Sequence, residues 1–239
     1  MKGRVELSLS TWCQPVPAVL NPERWPVLEH IADRIQTLGH WRVRVGVDGR
    51  TAAGKTTLGH ELAMLLADAD RVVLRASLDD FKRPWAEAHL YDRTSGDGYY
   101  RNAFDLQAIH RLLLEPAGPD YPGLVALCSI DPITQVDHAH VRVAMPDDGI
   151  LIVDGVFAFR PELKDYWDLR IWVDIDPELS IRRGIDRDSA REGTDTAEML
   201  HRERYGVAEA IYITEADPVS AADIVIDNTD LDGPRIIRS

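Results

Sequence analysis

The chain has 239 residues, 45% of them hydrophobic, and a formal net charge of −13. This length suits one sizeable α/β core, and the acidity argues against a general nucleic-acid binder, which needs a basic surface. The two cysteines, Cys13 and Cys128, are too few for a disulfide framework, and no apolar run approaches the roughly 20 residues of a membrane span. Because the first residues also lack an apolar leader, we expect a cytoplasmic protein.

The N-terminal part of the chain combines an irregular arm with one helix. Residues 1–24 contain three prolines and little periodicity, which indicates an extended arm or a short edge element. Residues 24–38 carry apolar side chains at helical spacing, and Gly39 follows as a helix stop. We therefore predict an arm at 1–24 and a single domain at 25–239.

A strand, a glycine-rich loop and a helix follow. Residues 41–47 alternate and are rich in valine, as in a strand, whereas residues 58–66 have helical spacing. Between them lies a match to the pattern G-x-x-x-x-G-K-[ST] of a phosphate-binding loop. The matching residues are Gly49, Arg50, Thr51, Ala52, Ala53, Gly54, Lys55 and Thr56, with Thr57 directly after them.

The chemistry of this loop explains its residue types. Glycines let the backbone curl around an anion, and the N–H groups of the loop and of the following helix bind phosphate oxygens. Lys55 can reach the β- and γ-phosphates, and the Thr56 hydroxyl can contact Mg²⁺. The pattern therefore predicts a site for ATP and Mg²⁺.

The second predicted strand spans residues 71–76, and the segment at 82–102 that follows it is rich in aromatic and polar residues. Gly96 and Gly98 are expected to prevent a helix there, and a loop this long in a compact domain is usually functional. Its aromatic residues could stack on a ring or bind a sugar face, and they include Trp85, Tyr99 and Tyr100. Asp105 then opens a helix as its predicted N-cap.

The rest of the chain alternates between strands and helices. We predict short strands within 124–130 and 140–144, then strands at 150–154, 168–174 and 223–227, and helices at 177–191 and 197–212. The strand at 223–227 is predicted to be the last. Such alternation indicates a mostly parallel sheet with helices on both faces. With the phosphate-binding loop, it predicts the three-layer α/β fold of P-loop NTPases, with a small lid at about 178–196.

Three aspartates stand where strands end, at the edge where parallel α/β sheets bind ligands. Asp79 could accept a proton from an attacking hydroxyl or help to hold Mg²⁺. The alternative is a helix N-cap, for which Asp80 is the better candidate. Asp154 ends an apolar run, as a Walker B carboxylate does, and would contact Mg²⁺ directly or through water. Its alternative is a simple turn residue.

Arg183, Arg187 and Arg191 are spaced four residues apart on one face of the predicted lid helix. Arginines in a closing lid could stabilise the charge that spreads over the transferred phosphoryl group. The same spacing would also suit a solvated face that pairs with the neighbouring acidic residues. The pattern alone leaves both interpretations open.

Beyond the loop, five segments in order resemble the uridine kinase-like family of phosphate-loop kinases, which includes uridine–cytidine kinase, phosphoribulokinase and bacterial pantothenate kinase. They are S-L-D-D-F at 77–81, A-F-D at 103–105, I-V-D-G at 152–155, the arginine-bearing helix at 182–191 and A-D-I-V-I-D-N at 222–228. The resemblance implies transfer of the γ-phosphoryl of ATP to a small-molecule hydroxyl. Together with the motif, it predicts the catalytic residues Lys55, Asp79, Arg183 and Arg187 and the metal ligands Thr56, Asp79 and Asp154.

The departures from the family fall where the acceptor would bind. Ile130 precedes Asp131 where uridine kinases carry Tyr-Asp, Gln135 stands near the position of their histidine, and Thr194 stands where a lid arginine is usual. Phosphoryl transfer is thus better supported than uridine as the acceptor. The predicted acceptor residues are Asp79, Tyr99, Tyr100, Asp105 and Gln135.

These patterns favour an ATP-dependent kinase that phosphorylates a nucleoside or a similar small molecule. We expect no nucleic-acid or membrane partner, and a homo-oligomer is possible. A kinase of a sugar, a vitamin precursor or a sugar phosphate is the alternative among enzymes. The alternative from another class is a nucleotide-dependent regulatory module. The sequence lacks the Asn-Lys-x-Asp stretch that a GTPase switch would use to recognise guanine.

Overall fold

Seven strands form one sheet in the computed structural model, which describes residues 3–12, 15–39 and 41–239. Across the sheet the strands run in the order β1-β3-β6-β2-β7-β8-β9, and all neighbours are parallel except the antiparallel pair β8 and β9. Their bounds are β1 Arg4–Leu7, β2 Val43–Gly49, β3 Val72–Ser77, β6 Ile150–Asp154, β7 Leu169–Asp174, β8 Ile224–Asp227 and β9 Arg235–Arg238. A two-stranded antiparallel ribbon, β4 Leu124–Val125 and β5 Val143–Ala144, lies outside this sheet.

Helices fill the connections between the strands. The α-helices are α1 Trp25–Thr37, α2 Lys55–Asp68, α3 Gly96–Asn102, α4 Leu106–Ala108, α5 Pro177–Glu192, α6 Thr194–Met199, α7 Gly206–Ala216 and α8 Pro218–Ala221. Two π-helical stretches, Ile109–Leu114 and Leu200–Tyr205, continue α4 and join α6 to α7. Short 3₁₀ turns occupy Pro22–Arg24, Leu78–Phe81, Trp85–Glu87 and Lys164–Tyr166.

The central strands are apolar on both sides because helices cover both faces of the sheet. Side chains alternate between the two faces of a strand, and β6 shows the result. Ile150 and Ile152 join the core that contains α1 and α2, whereas Leu151 and Val153 join the core beneath α3 and α7. This two-sided burial confirms the predicted α/β fold class and the buried parallel strand at 150–154.

Two predictions about elements are wrong. Residues 96–102 form helix α3 despite Gly96 and Gly98, because Ser95 caps its first turn and accepts a hydrogen bond from the Gly98 N–H. The glycines are needed for close packing, since a Cβ at Gly96 would lie 2.5 Å from Val207. The strand at 224–227 is also not the last, because β9 pairs with it at the edge of the sheet.

The N-terminal segment contributes the opposite edge of the sheet. Residues 4–7 pair in parallel register with β3, which corresponds to the edge element considered for this region. The chain then leaves the sheet and runs past the carboxyl ends of the strands. The domain limits and the lid at about 178–196 stay predictions. Cys13 lies outside the described residues.

Candidate active site

The phosphate-binding loop joins the central strand β2 to helix α2. Gly49 and Gly54 adopt φ values of +154° and +94°, so a side chain at either position would strain the backbone. A Cβ at Gly49 would also lie 2.4 Å from the carbonyl oxygen of Val173. Helix α2 begins at Lys55, whose ammonium donates to the Gly49 and Arg50 carbonyls at 3.0 and 2.7 Å. The predicted strand–loop–helix arrangement is therefore present.

A buried carboxylate lies directly beneath the loop. Asp48 accepts hydrogen bonds from the N–H groups of Gly49 and Phe159 and from the Tyr212 hydroxyl. Burial raises its pKa to about 6, although these hydrogen bonds and the charge of Lys55 act in the opposite direction. Sequence analysis missed this residue, whose only signal was its position just before Gly49.

A second carboxylate supports the outer side of the loop. Glu209 on α7 accepts from the Thr51 N–H at 2.6 Å and lies 3.5 Å from the Arg50 guanidinium. The Ser180 hydroxyl of α5 donates to the Thr51 carbonyl at 2.7 Å. These contacts tie the loop to two helices that are distant in sequence. No local motif predicts that Glu209 contacts the loop, because this contact depends on how α7 packs.

Asp154 and Thr56 meet where β6 ends and α2 begins. The Thr56 hydroxyl donates to Asp154 Oδ2 at 2.6 Å, and Arg75 Nη2 lies 2.7 Å from Asp154 Oδ1. The side chains of Arg75 and Asp154 are both only 3% exposed. The Arg75 side chain, which sequence analysis did not single out, thus fixes one oxygen of Asp154, while the other oxygen contacts the threonine of the phosphate-binding loop.

Asp79 lies at the carboxyl end of β3 and is held by two donors. Lys82 Nζ lies 2.9 Å from its Oδ1, and the indole N–H of Trp12 donates to Oδ2 at 3.2 Å. Burial by itself would raise the pKa of Asp79, but Lys82 and Trp12 outweigh it, so the pKa lies below its ordinary value. The carboxylate is therefore ionised and oriented. Ser77, not Asp79, caps the following 3₁₀ turn.

Asp80 does not have the capping role predicted for it. Its side chain is 1% exposed and accepts from the Ser8 hydroxyl at 2.6 Å. Burial, together with the charges of Asp79 and Asp154, raises its pKa to about 7, although hydrogen bonds from Ser8 and Ser10 lower it. The side chain thus faces the N-terminal segment.

The two predicted lid arginines, Arg183 and Arg187, are both held by partners within the protein. Arg183 donates to the carbonyls of Asn228 and Thr229, and Arg187 pairs with Asp188. The hydrogen bonds to Asp188 raise the pKa of Arg187, which burial alone would lower, and the charge of Asp79 adds to this rise. Acidic neighbours hold the side chain of Arg187, as a solvated face would require, but it also lines the cleft described next.

One cleft of about 660 Å³ brings most of the predicted site together. Its walls include the predicted residues Thr51, Ala52, Gly54, Lys55, Thr56, Thr57, Asp79, Tyr99, Asp154, Arg183 and Arg187. It also contains residues that sequence analysis did not assign to a site, namely Ser8, Ser10, Trp12, Arg75, Lys82, Asp188 and Tyr205. The phosphate-binding loop and Asp79 therefore face a common space.

Three predicted acceptor residues do not line this cleft. Tyr100 is 1% exposed and packs against Phe157 and Tyr212 in the core. Asp105 caps α4 by accepting from the Ala108 N–H, as predicted for its local role. The Gln135 side chain bonds to backbone atoms, including the Trp85 N–H at 2.7 Å. Each of these side chains is predicted to bind the acceptor, but in the structure it is occupied by core packing or by local hydrogen bonds.

The donor set near the loop suits Mg²⁺. Mg²⁺ prefers oxygen ligands and is usually held by one or two carboxylates together with substrate phosphates and water. A threonine hydroxyl and an Asp154 oxygen already meet at 2.6 Å, and Asp79 lines the same cleft. Among residues 3–12, 15–39 and 41–239, no three His, Cys, Asp or Glu side chains form a metal-binding group by themselves.

Within the part of the chain that the structure describes, no helix is long and apolar enough to cross a bilayer.

A family model and curated proteins match parts of this chain. Residues 129–230 match the model of the Phosphoribulokinase / Uridine kinase family. A uridine kinase from Lactobacillus helveticus is 22% identical over 194 residues, which cover 77% of this chain and 85% of the relative.

Solved structures share the fold. A "possible uridine kinase" from Bacillus stearothermophilus superposes with a TM-score of 0.64 and 20% identity, over 85% of this chain and 98% of that one. A D-glycerate 3-kinase from Cryptococcus neoformans has a TM-score of 0.58 and 13% identity, over 88% and 99% of the two chains. In the matched segment, in the curated relatives and in its fold, the chain is thus similar to the phosphoribulokinase and uridine kinase family.

Proposed function

We propose that this protein transfers the γ-phosphoryl group of ATP to a hydroxyl of a small molecule, most naturally a nucleoside. The observation that carries the proposal is a single cleft lined by both the phosphate-binding loop and the Asp79 carboxylate. The family relationship supports an ATP-dependent small-molecule kinase. Phosphoryl transfer needs positioning and charge stabilisation more than covalent chemistry, and this cleft offers both.

The loop end of the cleft would bind the triphosphate. Backbone N–H groups at the start of α2 and the positive end of its dipole favour phosphate oxygens. Lys55 now donates to the Gly49 and Arg50 carbonyls, and an arriving phosphate would offer its ammonium a charged partner instead. Glu209 and Asp48 hold the loop from two sides, so little reorganisation of the backbone would be required.

Thr56 and Asp154 would hold Mg²⁺, with Asp79 nearby. When bound, Mg²⁺ would neutralise charge on the phosphate oxygens during transfer. Because Arg75 pairs with Oδ1 of Asp154, the other oxygen, Oδ2, would contact the cation directly or through water. Arg75 would thereby orient the carboxylate.

Asp79 would receive the acceptor hydroxyl. Its pKa is held low, so it is a weak base at neutral pH and a strong hydrogen-bond acceptor. Little proton transfer is needed early in a loose phosphoryl-transfer transition state. We therefore assign Asp79 the task of orienting the hydroxyl towards the γ-phosphoryl group. As the new O–P bond forms and the bond to the leaving ADP breaks, the hydroxyl proton would pass to the Asp79 carboxylate.

Arg183 and Arg187 would complete the charge stabilisation from the lid. Both side chains line the cleft and extend from α5. Their guanidinium groups are suited to bidentate contacts with phosphate oxygens. Movement of the lid towards the loop would bring these charges closer to the phosphates and exclude water, which would otherwise compete as the acceptor.

A nucleoside is the first candidate acceptor because curated relatives are named uridine kinase and uridine-cytidine kinase. The departures at Ile130 and Gln135 argue against a strict pyrimidine site, and the Gln135 side chain is bonded to backbone atoms instead of lining the cleft. We therefore expect a preference for uridine weaker than about 10³-fold over other nucleosides, a ratio that apolar contacts alone do not reach.

The test is an acceptor screen with ATP and Mg²⁺. Uridine, cytidine, purine nucleosides, pantothenate, glycerate and several sugars are supplied at equal concentration, and ADP release and phosphorylated product are both measured. Acceptor-dependent ADP release that is lost in Lys55→Ala supports the proposal, and exposed Lys164→Ala serves as the matched control. If no acceptor raises ADP release above the background shared with Lys55→Ala, the proposed function is wrong.

A further inference from the structure

The N-terminal segment forms part of the cleft wall. After β1 the chain crosses the carboxyl ends of the strands, and Leu7, Ser8, Ser10 and Trp12 line the cleft. We refer to residues 8–12 as the strap. It is distant in sequence from the phosphate-binding loop and carries none of the kinase landmarks.

The strap is fixed to the domain at successive positions. The Ser8 hydroxyl donates to Asp80 Oδ2 at 2.6 Å, and the Thr11 N–H donates to Asp131 Oδ2 at 2.6 Å. Asp131 is itself held, because it also accepts from the N–H groups of Ile133 and Thr134. The strap is therefore anchored beside Asp79 by buried carboxylates and by the pairing of β1 with β3.

Trp12 connects two parts of the predicted catalytic machinery. Its indole N–H donates to Asp79 Oδ2 at 3.2 Å, and the guanidinium of Arg191 lies 4.7 Å from the centre of its ring. Arg191 stands in the last turn of α5, the helix that carries Arg183 and Arg187. The indole thus links the acceptor-orienting carboxylate to the lid, and a cation–π contact holds one face of its ring.

We propose that Trp12 is a positioning residue and specificity determinant for phosphoryl transfer, in that it fixes Asp79 and forms an apolar wall at the acceptor end of the cleft. This inference rests on the proposed function. Leu7 and Val16 line the same cleft and are 46% and 42% exposed, so apolar surface is available there. Such a wall fits an acceptor with a planar, partly apolar ring, as in a nucleoside, better than a small polar acid such as glycerate.

The two functions of Trp12 can be separated by substitution. Trp12→Phe keeps a ring beneath Arg191 but removes the N–H that orients Asp79. A hydrogen bond to a charged group corresponds to about a 10- to 100-fold effect, so kcat should fall by that factor while the KM for ATP changes less than twofold. Trp12→Ala also removes the wall, so the KM for a nucleoside acceptor should rise about tenfold more than that for glycerate.

The experiment measures initial rates while ATP, nucleoside and glycerate are varied separately, for the wild type, Trp12→Phe, Trp12→Ala and the control Trp41→Phe. Trp41 is 55% exposed and does not line the cleft. ATP hydrolysis without acceptor is measured in parallel and should rise in Trp12→Ala, because the open cleft admits water. Thermal melting shows whether each variant folds, and the Trp12→Phe comparison suffices if Trp12→Ala does not.

The outcomes distinguish the inference from the proposed function. If the wild type phosphorylates an acceptor but Trp12→Phe retains its kcat within twofold, the positioning role is wrong. If folded Trp12→Ala keeps the wild-type ratio of nucleoside to glycerate KM, the specificity role is wrong. A wild type that phosphorylates no acceptor overturns the proposed function itself, and the inference with it.

Discussion

The ion pair between Arg75 and Asp154 allows a direct test of whether a buried charge pair fixes the Asp154 carboxylate in the site. Arg75 Nη2 lies 2.7 Å from Asp154 Oδ1, and its Nη1 donates to the Ile152 carbonyl at 2.8 Å. Both side chains are 3% exposed, so each charge has little contact with water and depends on its partner for compensation. We predict that Arg75→Met and Asp154→Asn each destabilise the fold, whereas the double variant costs little more than either one.

The magnitude follows from desolvation. Removal of one partner leaves a buried charge without compensation, which typically costs about 3–5 kcal/mol. At about 2–4 °C per kcal/mol for a chain of this size, each single variant should melt roughly 6–20 °C below the wild type. Because the double variant leaves neither charge unpaired, we expect a coupling free energy at or above the upper end of the roughly 0.5–3 kcal/mol seen for interacting pairs.

The assay is urea unfolding of the wild type, the two single variants and the double variant, monitored by circular dichroism and by tryptophan fluorescence. Arg4→Met is the control, since Arg4 pairs with Glu6 at 2.6 Å on an exposed edge strand, and such a pair contributes about 1 kcal/mol or less. Additive losses in the double variant, or a loss below about 1 kcal/mol in Arg75→Met, would refute the argument that a buried charge pair fixes Asp154.

Three other predictions concern the loop, the acceptor group and pH. Lys55→Ala should lower kcat about 10²-fold or more, because its ammonium would stabilise charge on the transferred group, whereas circular dichroism should show an intact fold. Asp79→Asn should lower kcat about 10²- to 10⁴-fold with little change in the KM for ATP; normal kcat with lower stability would show a structural role. Buried Asp48, with a pKa of about 6, should lower the free energy of unfolding by about 3 kcal/mol as pH rises from about 4 to 6, because it keeps its proton in the folded state after the unfolded chain has lost it. Asp80, with a pKa of about 7, acts in the same direction, so Asp48→Asn should make the slope in urea titrations shallower without abolishing it, and an unchanged slope would contradict the assignment.

The sequence was sufficient wherever local patterns set the structure. The glycine pattern of the phosphate-binding loop, the apolar run that ends in Asp154 and the alternation of strands and helices each depend on residues that are close together in the chain. They predicted the fold class and the strand–loop–helix unit, which the structure and its neighbours confirm. The roles of individual site residues remain predictions, although Lys55, Asp79 and Asp154 line one cleft.

Local patterns misled where packing decides. Gly96 and Gly98 are predicted to break a helix, yet Gly96 allows α3 to lie against Val207 of α7, and Gly98 leaves room for Asp92. Tyr100 is predicted to stack on an acceptor, but the aromatic cluster around Phe157 buries it. Helix propensity describes an isolated segment, whereas the formation of α3 and the burial of Tyr100 depend on the surfaces against which this segment packs.

What the sequence by itself determined is the chemistry that the chain carries: a phosphate-binding loop, carboxylates at strand ends and arginines along helix α5. Only the tertiary structure decided which of these groups share a space, and which partners orient them. Arg75, Glu209 and Trp12 lie at least 67 residues from the groups that they hold. No periodicity or motif encodes such contacts, because they arise when strands that are distant in sequence end at the same edge of one sheet.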